Sequence, residues 1–99
     1  MKQLFAAIRK RGPRFQAGLS LEAQEQWREH ADFMNTMQAD GFVVLAGPLE
    51  GTDEVLLVFR AESAEEVRKR LDEDPWTQLG LLGDTRIAPW TLRMGSLKS

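Results

Sequence analysis

The chain has 99 residues, 42% of them apolar and 28% charged, with a formal net charge of -2, and this length and balance fit one soluble globular domain over residues 1–99 rather than two separate cores. It contains no cysteine and a single histidine, which excludes disulfide staples, thiolate zinc centres and cysteine nucleophiles and routes any imidazole chemistry through His30. No run reaches the ~18 apolar residues of a membrane span and no secretory pattern opens the chain, so a cytoplasmic protein is expected.

Residues 3–9, Gln-Leu-Phe-Ala-Ala-Ile-Arg, are short, apolar and followed by Gly12-Pro13, which predicts a first strand closed by a turn. Charge is concentrated here. Lys2, Arg9, Lys10, Arg11 and Arg14 stand without an acid in residues 1–14, so this stretch carries +5 and the other 85 residues carry -7. The cluster from Arg9 to Arg14 is read as a loop with two alternatives, an anion clamp at the mouth of a pocket or a solvated basic surface. Ser20 then stands as an N-cap, with a helix over Leu21 to Ala39 stopped by Asp40-Gly41. At ~100° per residue Ala23, Trp27, His30, Ala31, Met34 and Met37 share one arc, which turns His30 inward.

Phe42 to Ala46 and Glu54 to Arg60 are two apolar runs, the first closed by Gly47-Pro48, and they predict a hairpin. A glycine at Gly47 also lets a ligand approach the backbone, although plain turn chemistry explains it equally. Ser63-Ala64-Glu65-Glu66 has the spacing of a reciprocal capping box for a second helix with Ala64, Val67 and Leu71 inside, and Asp74-Pro75 ends it. A last strand is expected from Arg86 to Met94, with Pro89 at an edge or a bulge. The order is thus βαββαβ, an α+β ferredoxin-like protomer with an antiparallel four-stranded sheet and both helices on one face. Strands 42–46 and 55–59 are apolar on both sides, so the open face is expected to pair with a second copy as a homodimer.

His30 admits two readings, a hydrogen-bonded core histidine or an acid–base group, and Asp74 likewise is either an N-cap before Pro75 or the carboxylate that orients the imidazole. Spacing alone does not bring the two together. Trp27, Met34, Met37 and Trp90 are read as packing, and Phe33 and Trp76 as walls of a pocket. A metal centre is disfavoured because Glu29 and Asp32 lie off the face of His30. Nucleic-acid binding is disfavoured by the pI of about 5.4 and by the lack of the spaced aromatics and basic residues of an RNA-recognition strand.

Taken in order, His30-Ala31-x-Phe33-Met34, Asp40 to Leu49 with Gly47-Pro48, Asp74-Pro75-Trp76 and Ile87-x-Pro89-Trp90 resemble the YCII-related (YciI-like) proteins over nearly the whole chain. The resemblance implies a dimeric α/β barrel and a histidine–aspartate pair lining a pocket, which maps onto His30 and Asp74. It also implies a style of chemistry met in related proteins of chlorinated-aromatic breakdown, proton abstraction that drives loss of chloride; no cofactor is expected. Two features depart from the pattern: the segment from Arg9 to Leu19 is longer and more basic than in short members, and Trp76 follows Asp-Pro where many relatives carry another aromatic. The site expected is His30 and Asp74 as catalytic groups, with Phe33, Gly47, Pro48, Trp76, Arg9 and Arg11 around a small anionic or aromatic molecule. The rival is a binding module that uses the same pocket without chemistry.

Overall fold

A computed structural model describes residues 2–97, and at residues 84 and 85 the backbone alone. The elements are β1 (Gln3–Arg11), a 3-10 turn (Leu21–Ala23), α1 (Trp27–Ala39), β2 (Val43–Pro48), β3 (Glu54–Ala61), α2 (Ala64–Asp72), α3 (Pro75–Leu79) and β4 (Leu82–Pro89). The four strands form one antiparallel sheet in the order β2-β3-β1-β4, the ferredoxin-like arrangement expected from the element order.

Alternation along β1 sorts the sheet into two faces. Phe5, Ala7 and Arg9 are buried while Leu4, Ala6 and Ile8 are half-buried. Register carries that division across the sheet, since Phe5 pairs with Phe59, Ala7 with Leu57 and Arg9 with Val55. The inner face meets Met37 of α1 and Val67 and Leu71 of α2 in the main core. Trp76, Leu81 and Leu82 form a second cluster with Phe15 and Trp27. The outer face carries Leu56 and Val58 beside Ile8 and Ala6, and Leu45 beside Val58. Leu45 is 53% and Leu56 37% exposed, so the apolar outer face predicted by two-sided strands is present.

Local chemistry explains most boundaries. α1 ends in a Schellman motif: Gly41 takes φ +79°, its N–H reaches the Gln38 carbonyl and the Phe42 N–H reaches that of Met37, each at 3.0 Å, a conformation that glycine adopts without a Cβ penalty. At α2 the Glu66 N–H donates to Ser63 Oγ at 3.1 Å, but the Glu66 carboxylate reaches back to the N–H of Glu62 at 2.8 Å rather than to that of Ser63. The box is therefore one residue wider than the reciprocal pairing expected.

Four boundaries differ from the sequence reading. The second strand is not closed by Gly47-Pro48 but starts at Val43 and runs through both residues, which pair with Leu56 and Val55. The first helix does not run from Leu21: after a 3-10 turn the chain passes through Gln26 at φ 54°, and the α-helix begins at Trp27. Ser20 makes no side-chain cap bond. The break arises because Gln24, 4% exposed, turns back to the preceding loop, accepting the Gln16 N–H and donating to the Gln16 and Leu19 carbonyls. The first strand does not end at Arg9 but continues to Arg11, held by pairing with Leu82 and Gly83. The last strand spans Leu82–Pro89 rather than 86–94, because Gly80 at φ 83° closes α3 and delivers Leu81 and Leu82 directly to the sheet. Pro89 ends this edge strand opposite Phe5, so it stands at an edge and not at the bulge, which lies between Ile8 and Arg9 of β1.

Candidate active site

Asp74 gathers the site. It is the N-cap of α3, with Pro75 in the first turn, and the Trp76 N–H donates to Asp74 Oδ1 at 3.0 Å, the pairing an Asp-Pro start favours. The same carboxylate, 0% exposed, meets His30 Nδ1 at 2.9 Å through Oδ1 and at 3.0 Å through Oδ2. Arg9 Nη1 donates to Asp74 Oδ2 at 3.2 Å. The capping and orienting readings of Asp74 are thus satisfied together, since a carboxylate offers about four acceptor sites and three donors use them.

A carboxylate is acceptor-only, so the hydrogen of the shared contact resides on His30 Nδ1, and in the neutral form of the ring the free lone pair is on Nε2. His30 is 12% exposed, and its Nε2 has no hydrogen-bond partner among the described residues. Helical phase turns it inward, as expected. Its ring lies flat on Trp76 with centroids 3.9 Å apart and planes within 3°. Trp76 is itself fixed, donating its indole N–H to the Glu25 carbonyl at 2.7 Å and meeting Phe15 edge-on at 6.1 Å. Two rotations of the imidazole are therefore removed, one by the carboxylate and one by the stack.

His30, Trp76 and Arg9 line a cavity of about 190 Å³ between α1 and the inner face of the sheet, with Asp74 buried behind them. Trp27, His30 and Met34, one face of α1, form one wall, and Ala46, Gly47 and Pro48 of β2 form the opposite one. Phe15 and Leu21 reach in from the segment between β1 and α1, and Arg9 and Arg11 supply guanidinium groups to the lining. Of the residues expected at the site, His30, Asp74, Trp76 and Arg9 are brought into direct contact, and Arg11, Gly47 and Pro48 line the cavity.

Phe33 lies elsewhere. It packs against the main core and borders a shallow surface groove with Glu29, Asp32 and Pro75, because one step before Met34 its side chain swings toward Pro75 and away from Trp27 and His30. Trp27 and Met34, expected as packing, are cavity walls, while Met37 is buried in the core and Trp90 is 39% exposed after the last strand. Arg9 is not a loop residue at the mouth but a strand residue 1% exposed. Its second amino group donates to Thr77 Oγ1, and that hydroxyl donates on to the Leu71 carbonyl at 2.8 Å. Thr77 carries no sequence signal for this role. Arg9 does: Phe5, Ala7 and Arg9 share one strand face at a period of two. Among the described residues no group of three histidine, aspartate or glutamate side chains is placed to hold a metal ion.

The fold and the site together define a ferredoxin-like α+β domain with a mostly apolar cavity lined by a histidine whose ring meets a buried aspartate. The chain belongs to the YCII-related domain family, whose model matches residues 4–91. Among solved structures it is similar to 5-chloro-2-hydroxyhydroquinone dehydrochlorinase from Burkholderia phenoliruptrix AC1100, in complex with 2,5-dihydroxybenzoquinone, with a TM-score of 0.69 and 24% identity over 90% of this chain and 94% of that one. No curated protein matches the sequence.

Proposed function

We propose that this protein, acting as one domain in the cytoplasm, is an enzyme that moves a proton on a small aromatic molecule, with His30 as general base or acid and Asp74 holding its tautomer. The observation that carries the reading is the Asp74 contact to His30 Nδ1 at 2.9 Å on the wall of an apolar cavity. It leaves Nε2 to the ligand, the geometry general acid–base catalysis needs. In the reaction class proposed, Nε2 takes a proton from an acidic O–H or C–H of the ring. With the ring in its keto tautomer, so that the carbon bearing the leaving group is sp3, the electron pair left behind is relayed into a new π bond to that carbon and expels a leaving group such as chloride from it. Atoms and charge balance as loss of HCl, with no oxidant required. The likeness to a dehydrochlorinase makes halogenated dihydroxyaromatics the first compounds to try.

The test is chloride release from a panel of such compounds. His30→Ala is expected to lower kcat/KM by ~10²–10⁴-fold. A rate unchanged by that substitution refutes the proposal. Binding without turnover in the unaltered protein would instead favour the binding-module reading, which the apolar lining also suits. The same proposal includes a homodimer through the outer face, where Leu45 and Leu56 are exposed beside Leu4, Ala6 and Ile8. A solution mass of 11.2 kDa, that of one chain, would contradict it.

A further inference from the structure

We infer that the cavity takes a single-ring aromatic monoanion and that Arg11 is the residue that recognises its charge. The inference deepens the reading of this cavity as a ligand site. It starts from how the basic segment is paired. Lys10 faces Asp53 at 3.9 Å, Arg14 meets Glu25 at 3.0 Å, and Arg9 meets Asp74 at 3.2 Å. Arg11 alone of these four has no acid partner among the described residues, although it is half-buried and lines the cavity. Arg9 is already engaged by Asp74 and Thr77, so among the described residues Arg11 is the guanidinium of the lining without an acid beside it, in mostly apolar surroundings where a charge acts more strongly than in bulk water.

The guanidinium is also presented for use. Its central carbon lies 4.4 Å from the centroid of the Phe15 ring, so a face of the group is occupied by the cation–π contact while the in-plane N–H donors remain for a ligand. That fork matches an anionic oxygen pair such as a carboxylate or an adjacent phenolate and hydroxyl. Size sets the rest of the ligand. A dry cavity of about 150 Å³ accepts benzene, and the volume here is about 190 Å³, room for one ring with its polar substituents. The aromatic walls Trp27 and Phe15 suit a flat ring, and the anionic edge on Arg11 fixes which end of it faces His30.

The experiment compares salicylate with salicylamide, near-isosteric single rings that differ in charge, by quenching of the tryptophan fluorescence. The unaltered protein should bind salicylate and hold it roughly 10- to 100-fold more tightly than salicylamide, the range expected for charged hydrogen bonds. Arg11→Gln should bring the two affinities together while leaving that for salicylamide unchanged, and Arg11→Lys should restore part of the difference. Added salt should weaken salicylate binding to the unaltered protein and not to Arg11→Gln. Failure of the unaltered protein to bind salicylate at millimolar concentration, equal affinity for the two probes, or a parallel loss of both in Arg11→Gln overturns the inference. His30→Ala separates it from the catalytic reading: that variant should retain the preference for salicylate whether or not His30 proves to be the base.

Discussion

Replacing Arg9 by methionine keeps most of the apolar stem of the side chain and removes the guanidinium, and with it both the pair with Asp74 and the bond to Thr77. Both members of the pair are buried, at 1% and 0% side-chain exposure, so water is not at hand to take the place of the lost partner. Breaking a buried pair from one side costs about 3–5 kcal/mol because the remaining charge is stranded. That is a large share of the 5–15 kcal/mol that holds a typical domain together. At roughly 4–8 °C per kcal/mol for a chain of this size, the midpoint of thermal unfolding should fall by about 12 °C or more. Asp74→Asn should be destabilising too, but it retains an oxygen for the Trp76 N–H cap. The double variant should therefore lose less than the two single losses added together, with a coupling of about 1–3 kcal/mol. Thermal and urea unfolding followed by tryptophan fluorescence and circular dichroism measure all four corners of this cycle. An Arg9→Met loss below about 1 kcal/mol, or strictly additive losses, would refute the view that Arg9 compensates Asp74.

Two further outcomes follow from packing. Gly12→Ala would place a Cβ 2.3 Å from the Gly80 carbonyl oxygen, backbone against backbone, and should cost about 1–3 kcal/mol, read as a lowered urea midpoint; an unchanged midpoint would mean that the approach of the β1 end to the α3 end is readily relaxed. Leu45→Glu places a charge on the outer face, where Leu45 is 53% exposed, and should convert the proposed dimer to monomer in sedimentation while leaving the circular dichroism of the chain in place.

Much of this architecture is legible in the sequence because its signals are local. Asp40-Gly41, Ser63 with Glu66, and Asp74-Pro75 are terminus chemistry complete within a few residues, and the apolar runs at 42–46 and 54–60 need only their own neighbours. What escaped depends on distant partners. The start of α1 at Trp27 is set by Gln24 bonding back to residues 16 and 19, and uncommitted helical periodicity gives no hint of that. Arg9 was obscured by composition: a run of cations beside Gly12-Pro13 suggests a loop, whereas the alternation of Phe5, Ala7 and Arg9 continues the strand inward. Helical phase sufficed to turn His30 toward the interior. Its pairing with Asp74, 44 positions later, came from family resemblance and not from any pattern in the residues, because no local period spans such a distance.

The placement of Asp74 has a consequence for the order in which the molecule becomes competent. One carboxylate joins β1 through Arg9, α1 through His30 and α3 through its own cap, contacts that span 65, 44 and 2 positions of sequence. The last forms locally, but the first two exist only when both halves of the chain have come together, and such non-local closures are entropically costly and late to be repaid. A partly folded intermediate therefore holds no prearranged imidazole. Substitutions that loosen the docking of α3 on β1 should dissolve the site and the global fold in one cooperative step, so mutational tolerance at residues 9, 30 and 74 will be governed jointly by persistence of the protein and by its chemistry.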